Sequence, residues 1–280
     1  MFNITKNLKV ILGEFVYGAH LISLGFAGIV FTTTLILNIK TNWQIVLIAY
    51  LISQITYNYN HLKEVEKDFK ANPERTGHVK KTGGNLIVIY IIIFLFLLIY
   101  FFNLKFFIFA TLLLVASVFY TIFFKKLTKK IIGFKNFYVS TCWAMGAFLP
   151  FFLNPSVFLI FIFIFLRLLL DTIFFDLKDV ESDKKESLLT FPVKFGENNT
   201  RSFLHILNLI SFVPLFLGIF FKIIPTYTLS LIVIYFYGFY YIKKSEKIDQ
   251  RKMLFISYIL VDGQYVFWPI IIIFGKLLIK

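Results

Sequence analysis

The chain has 280 residues, of which 59% are hydrophobic, 20% aromatic and only 16% charged, and its mean hydropathy is +0.80. A water-soluble domain of this length needs far more polar surface, so the composition excludes one and predicts a membrane protein. The net charge of +14 does not indicate a nucleic-acid partner, because no soluble region is present to carry a basic binding patch.

Long apolar runs fill most of the chain. A bilayer core about 30 Å thick is crossed by roughly 20 helical residues, whereas a closed barrel would show short alternating segments. The runs therefore predict transmembrane helices, in chain order near residues 15–37, 43–62, 84–102, 104–124, 136–153, 156–177, 201–221, 226–242 and 253–275. We predict nine transmembrane helices in a single domain, residues 1–280.

The positive charges are distributed unevenly between the two ends of these helices. Of the 29 Lys and Arg residues, 23 lie at the N-terminus or in the connections after the second, fourth, sixth and eighth runs. Cytoplasmic connections collect Lys and Arg. The distribution predicts a multi-pass protein of the cell membrane with a cytoplasmic N-terminus, surrounded by membrane lipids.

Polar residues with carboxylates form two clusters on the predicted cytoplasmic side. The clusters are Asn60, Glu64 and Asp68, spaced i, i+4, i+8 from the end of the second run, and Asp176, Asp179 and Asp183, spaced i, i+3, i+7 from the end of the sixth. At about 100° per residue, each spacing places its three side chains on one helical face. We therefore expect each cluster to converge on one point.

The first cluster continues back into the apolar part of the second run as a polar stripe. Its members are Ser53, Tyr57, Asn60, His61, Glu64 and Asp68. Lipid cannot satisfy such a stripe, which must face protein or a water-filled space. The sequence thus predicts an all-α integral membrane fold around a central cavity, capped on the cytoplasmic side by the connections 69–83 and 180–200. We expect both connections to contain short helices.

Clustered carboxylates repel one another and favour a hard cation with oxygen ligands. Mg²⁺ suits them, because it keeps some waters and is shared between carboxylates and substrate phosphates. The clusters therefore predict a phosphorylated substrate. Basic residues nearby could bind the remaining phosphate charge, namely Arg75, Lys125, Lys126 and Lys184.

These motifs resemble those of the UbiA superfamily of intramembrane prenyltransferases. The second cluster matches the Asp-x-x-Asp-x-x-x-Asp motif of that family in full, and the following "KKESLLTFPVKFG" is similar to the usual continuation through Thr190, Pro192, Val193 and Gly196. The segment after the fourth run resembles another family stretch through Tyr120, Lys135 and Asn136. The resemblance covers essentially the whole chain.

The first cluster departs from the family pattern Asn-Asp-x-x-Asp-x-x-x-Asp. Asn60 and Asp68 match, but His61 and Glu64 stand at the positions of the other two aspartates. Glu64 can still bind a metal ion, whereas His61 is a poor ligand for Mg²⁺. Arg75 resembles the arginine that follows the motif.

The resemblance implies that Mg²⁺ holds an isoprenyl diphosphate between the two motifs, and that an acceptor captures the prenyl group after the allylic C–O bond breaks. On this interpretation the catalytic residues are Asn60, Glu64, Asp68, Asp176, Asp179 and Asp183. Four of them, Glu64, Asp68, Asp179 and Asp183, would bind the metal. The substrate-binding residues would be Tyr57, His61, Arg75, Tyr120, Lys126, Lys184 and Asp171.

Several alternatives stay open. An aromatic quinone precursor is the first choice of acceptor and a glycerol-phosphate ether lipid is the second. Arg167 and Asp171, spaced i, i+4, could instead form a structural pair within the sixth helix. Arg167, Asp171 and Asp262 could also be the ion path of a transporter, and the altered first motif is compatible with an inactive lipid-binding homologue.

Overall fold

The computed structural model describes residues 13–71, 73–101, 103–150, 155–248 and 250–279. Within these ranges the side chains of residues 64, 66–75, 81–84, 101, 247, 250 and 251 are not described. The described residues form helices, turns and loops and contain no strand, which confirms the all-α prediction.

The α-helices are numbered here in chain order. They are α1 His20–Ile36, α2 Trp43–Ala71, α3 Pro73–Phe101, α4 Leu104–Ile122, α5 Phe134–Ala144, α6 Pro155–Asp176, α7 Val180–Lys185, α8 Phe191–Phe195, α9 Glu197–Ile210, α10 Val213–Phe220, α11 Ile232–Lys244, α12 Gln250–Phe255 and α13 Asp262–Leu278. A π-helix, Ile256–Val261, joins α12 to α13. Short 3₁₀ segments include Phe124–Lys129 after α4 and Met145–Phe148 after α5.

Four helical stretches of the described chain are long and apolar enough to cross a membrane: Leu104–Ile122, Pro155–Asp176, Glu197–Phe220 and Lys252–Leu278. The chain is therefore a multi-pass integral membrane protein. Described helices lie at each of the nine predicted positions, but the other five do not meet the same length and hydropathy requirement, so the count of nine spans stays a prediction.

The two predicted capping connections differ in structure. Residues 180–200 contain the short helices α7 and α8, as expected of a loop that covers a site. Residues 69–83 do not form short helices: α2 extends to Ala71, and α3 starts at Pro73, where proline suits the first helical turn because its missing N–H is not needed. The prediction of short helices was wrong there.

Helices α1 and α13 pack at unusually close range. A Cβ atom on Gly28 of α1 would lie 2.3 Å from the carbonyl oxygen of Tyr265 in α13, and one on Gly25 would lie 3.2 Å from that of Asp262. The two glycines thus allow the backbones of α1 and α13 to meet. This contact fixes the start of α13 beside the cavity described below.

We expect Gly28→Ala to lower the thermal stability of the purified protein in detergent, because the added methyl group meets backbone that cannot rotate away; overpacking of this kind costs about 1–3 kcal/mol. Gly77→Ala is the matched control, since a Cβ there has nothing within 4 Å. A midpoint of thermal unfolding that falls equally in both variants, or in neither, would contradict the close packing of α1 and α13.

Candidate active site

A cavity of about 390 Å³ lies between the helices at the end where α6 stops. This volume is within the range of small-molecule sites. Apolar and aromatic residues, among them Leu21, Val139 and Trp143, form part of its wall. The polar residues of the wall include Tyr57, Asn60, His61, Tyr120, Lys125, Lys135, Lys178, Asp179, Asp183, Glu186 and Asp262.

The second carboxylate motif does not lie on one helical face. Asp176 is the last residue of α6, residues 177–179 form a turn, and Asp183 lies in the separate helix α7. The sequence-based prediction of a single face was wrong for this cluster, because the chain turns between its first and second aspartates. Asp179 and Asp183 nevertheless stay together, since the amide of Asp183 donates to the carbonyl of Asp179 at 2.8 Å.

Asp176 points into the protein and is fully buried. Its Oδ1 accepts a hydrogen bond from Lys135 Nζ at 2.8 Å, and its Oδ2 accepts one from Asn136 Nδ2, also at 2.8 Å. Burial alone would lower the pKa of Lys135, but the carboxylates of Asp176 and Asp183 outweigh it and raise that pKa well above its usual value. Lys135 therefore stays charged where it lines the cavity.

The loop that leads into α5, and so to Lys135, is tied to the loop that follows α7. The amide of Gly133 donates to the carbonyl of Leu189 at 2.9 Å, and the amide of Leu189 donates to the carbonyl of Thr128 at 2.9 Å. Gly133 has φ +66°, which favours glycine, and a Cβ there would also lie 2.4 Å from the ring of Phe191. These contacts fix Lys135 relative to α7.

Asp179 and Asp183 are suited to a divalent cation. Asp183 is 7% exposed, and its Oδ2 has no hydrogen-bond partner among the described residues. Burial raises the pKa of Asp183 to about 6; Lys135 opposes the rise, Asp176 and Asp179 add to it, and the hydroxyl of Thr190 opposes it. The unpaired Oδ2 is an oxygen that a metal ion could bind.

The described residues alone do not complete a metal centre. They contain no group of three His, Cys, Asp or Glu side chains close enough to hold an ion. The side chains of Glu64, Asp68 and Arg75 lie outside the part of the structure that is described, so these three predictions are untested. Mg²⁺ is commonly held by only one or two carboxylates, with waters and substrate phosphates as its other ligands.

Two further lysines contribute to the cavity wall. Lys178 contacts Asp179 Oδ2 at 2.5 Å, and its ammonium lies 5.5 Å from the centre of the Tyr258 ring. Lys125, in the 3₁₀ segment after α4, also lines the cavity. The sequence analysis did not propose a role for Lys178. Its position between Asp176 and Asp179 of the motif could have indicated that it lies at the site.

The polar stripe of α2 reaches the cavity as predicted through three of its residues, Tyr57, Asn60 and His61. Asn60 Oδ1 accepts a hydrogen bond from Thr121 of α4. The Tyr57 ring makes edge contacts with His61 and with Trp143, at centroid distances of 6.2 and 5.8 Å. Tyr57 thus forms part of an aromatic wall.

Tyr120 of α4 also lines the cavity, and its hydroxyl pairs with that of Thr128 at 3.2 Å. Two predicted substrate-binding residues lie elsewhere: Lys126 and Lys184 are exposed and do not belong to the described cavity lining. Lys126 follows Lys125 and Lys184 follows Asp183, and both of these preceding residues line the cavity. The side chains of Lys126 and Lys184 therefore point in another direction.

Asp171 is likewise separated from the described cavity lining. It is 2% exposed, and it accepts hydrogen bonds from Tyr241 at 2.6 Å, from Gln264 Nε2 at 2.8 Å and from Tyr265. With so many donors around it, Asp171 is part of the packing between α6, α11 and α13. The structure therefore does not place it for substrate binding.

Arg167 completes this buried network. It donates to Asn208 Oδ1 of α9 and, at 3.4 Å, to Gln264 Oε1, so Gln264 links it to Asp171. Both charged residues are thus held by neighbouring helices and are linked through Gln264, while a direct pair between Arg167 and Asp171 stays a prediction. An ion path through them would need an open space, and neither residue lines the described cavity.

Comparison with known proteins gives a family match. The model of the UbiA prenyltransferase family matches residues 21–259. The chain belongs to the UbiA prenyltransferase family. This confirms the resemblance seen in the motifs. A separate comparison with curated proteins gives no significant match.

Solved structures of UbiA homologues share the fold. A UbiA homologue from Aeropyrum pernix K1 is 13% identical with a TM-score of 0.64, covering 92% of this chain and 96% of its own. One from Archaeoglobus fulgidus, bound to DMAPP and Mg²⁺, is 15% identical with a TM-score of 0.60, covering 93% and 98%. A structure from work on digeranylgeranylglyceryl phosphate synthase in membranes is 19% identical with a TM-score of 0.54, covering 96% of each chain.

The raised pKa of Asp183 predicts a pH dependence of metal binding to this UbiA protein. Only the ionised carboxylate binds a metal ion, so affinity should rise as pH increases through about 6 and then level off. Mn²⁺ can replace Mg²⁺ as a probe, because electron paramagnetic resonance detects the free ion. Affinity should increase severalfold from pH 5 to 7 in the wild type and much less in Asp183→Asn; equal pH dependence in both would contradict the assignment.

Proposed function

We propose that this protein transfers a prenyl group from an isoprenyl diphosphate to an acceptor inside the membrane. One observation carries the proposal: a buried oxygen of Asp183 that has no hydrogen-bond partner among the described residues and the charged Lys135 lie at a cavity that also has an apolar, aromatic wall. A diphosphate needs the charged groups, and a prenyl chain needs the apolar, aromatic wall. Membership of a prenyltransferase family supports the same reaction.

Asp179 and Asp183, together with Glu64 and Asp68 of the first motif, would hold Mg²⁺. Mg²⁺ bound there would neutralise the negative charge that develops on the departing diphosphate. The DMAPP and Mg²⁺ bound to the Archaeoglobus fulgidus homologue support this choice of donor and metal.

The lysines would stabilise the same charge. Lys135 is held at the cavity by Asp176, so we assign Asp176 the role of positioning Lys135. Lys178 and Lys125 replace the exposed Lys184 and Lys126 as diphosphate-binding groups. Fixed positive charge at the leaving group stabilises the transition state more than the ground state, because the charge there grows as the bond breaks.

The other polar residues of the wall would bind the organic part of the substrates. Asn60 is oriented by Thr121, while the rings of Tyr57, His61 and Tyr120 face the same space. Aromatic faces stabilise a developing carbocation through their quadrupoles. Arg75, at the start of α3, would add a further phosphate contact.

An aromatic quinone precursor remains the first choice of acceptor. A glycerol-phosphate ether lipid is the second, favoured by the three lysines in the cavity wall, since one diphosphate already bound by Mg²⁺ does not need all of them. We also propose that the cavity opens on the cytoplasmic side, together with the N-terminus, because the basic connections lie there.

Purified protein should transfer the prenyl group of geranylgeranyl diphosphate in the presence of Mg²⁺ and not after chelation with EDTA. The acceptors to test are 4-hydroxybenzoate, a hydroxynaphthoate and geranylgeranylglyceryl phosphate, with products separated by mass spectrometry. Absence of both turnover and Mg²⁺-dependent binding of the donor would overturn the proposal and favour an inactive lipid-binding homologue.

Asp179→Asn and Asp183→Asn should each lower turnover on the order of 100-fold or more, since each removes a charge on which metal binding depends. Glu181→Gln is the matched control, because Glu181 lies on the same short helix but is exposed and does not line the cavity. Full activity in either aspartate variant would show that the site has been misplaced.

A further inference from the structure

Asp262 has no role in the reaction proposed so far. The acidic residues that line the described part of the cavity are Asp179, Asp183, Glu186 and Asp262. The first three lie in the segment around α7, where the diphosphate would bind, whereas Asp262 begins the long apolar helix α13. The carboxylate of Asp262 is therefore carried by a different wall of the cavity.

The backbone before Asp262 is unusual. Residues Ile256–Val261 form a π-helix between α12 and α13. Leu254, Tyr258 and Asp262, spaced four apart across this segment, all line the cavity. A π-helical turn widens the helix and changes the direction of the side chains after it, and such turns are frequent at functional sites.

Asp262 lies beside helix α1. Its backbone is held by the close contact with Gly25 of α1, and Leu21 of the same helix lines the cavity beside it. Tyr57, Lys135 and Asp262 line the same cavity, so a donor held at Lys135 and an acceptor held at Asp262 would share one space.

A prenyl acceptor loses a proton when its new bond forms. A carboxylate within the cavity is suited to accept it, and a second anion at this position would be repelled. An acceptor should therefore approach Asp262 with an uncharged hydroxyl group. Any carboxylate or phosphate of the acceptor should point away from Asp262, towards the lysines.

Resting on the proposed function, we propose that Asp262 binds the hydroxyl group of the acceptor and takes up its proton. The C1–O bond of the donor breaks and its electron pair leaves with the diphosphate. For an alcohol, the hydroxyl oxygen forms the new bond to C1 and its proton passes to the Asp262 carboxylate. For a phenol, the loss of the phenolic proton to Asp262 makes the ring carbon next to the oxygen more nucleophilic, and that carbon forms the new bond to C1. The carbon then gives up its own hydrogen as a proton to water while the proton on Asp262 returns to the oxygen, so the ring becomes aromatic again.

The test compares Asp262→Asn and Asp262→Glu with the wild type in the full-length protein. Asparagine keeps the shape of the side chain but cannot accept the proton, so kcat should fall by about 100-fold or more, the usual size of a general-base effect. Glutamate should restore part of the loss. Mg²⁺-dependent binding of geranylgeranyl diphosphate should stay within twofold of the wild type in both variants.

Glu197→Gln provides a control with the same change of charge on an exposed side chain, and it should behave as the wild type. The reaction is run with geranylgeranylglyceryl phosphate as the alcohol and with 4-hydroxybenzoate as the phenol, which separates the two sources of the hydroxyl group. Loss of kcat with the acceptor that the wild type uses supports the inference.

The outcomes separate this inference from the proposed function. A wild type without turnover or donor binding overturns the proposed function, and the role of Asp262 with it. If the wild type is active and the kcat of Asp262→Asn is within threefold of the wild-type value, the role of Asp262 alone is overturned. If Asp262→Asn loses donor binding together with turnover, and Asp262→Glu restores neither, then Asp262 has a structural role. That result also overturns the inference.

Discussion

Hydrocarbon offers no hydrogen bonds, so each polar group on a membrane-spanning helix must find its partner within the protein or in an enclosed space. This constraint organises the whole molecule. The polar groups of the described helices collect in several regions, among them the cavity beside α7, the buried network around Asp171 and a network between α1 and α2 that includes His20, Tyr50 and Gln54. In the network around Asp171 the carboxylate of Asp171 accepts three hydrogen bonds, although Arg167 Nε has no partner among the described residues. In the cavity, Asp183 Oδ2 has no hydrogen-bond partner among the described residues. A carboxylate that is held by several protein donors belongs to the packing, whereas a carboxylate oxygen without them can bind a ligand.

The turn after α6 divides one sequence motif between two tasks. Asp176 is buried and fixes Lys135, while Asp179 and Asp183 face the cavity. A positive charge and two carboxylates at one end of an enclosed space provide what a metal-bound diphosphate requires. The close packing of α1 against α13 then places Asp262 on another wall of the same space.

Much of this arrangement could be predicted from the sequence, because polarity along an apolar helix carries direct information. The stripe of Tyr57, Asn60 and His61 predicted a cavity, and the structure shows these residues at one. The choice between Lys125 and Lys126 could not be made, since the direction of neighbouring side chains depends on the 3₁₀ segment that carries them. The partners of Asp171 come from helices that lie 70 or more residues along the chain, and no local pattern indicates them.

The central claim is that an isoprenyl diphosphate binds between Lys135 and the pair Asp179 and Asp183. The most direct measurement is a cryo-electron microscopy structure of the protein with Mg²⁺ and geranylgeranyl thiodiphosphate, in which sulfur replaces the bridging oxygen and slows cleavage. The account predicts metal density against Asp179 and Asp183, phosphate density against Lys135, and the prenyl chain along the aromatic wall. Diphosphate density elsewhere, with these three side chains unchanged, would contradict it.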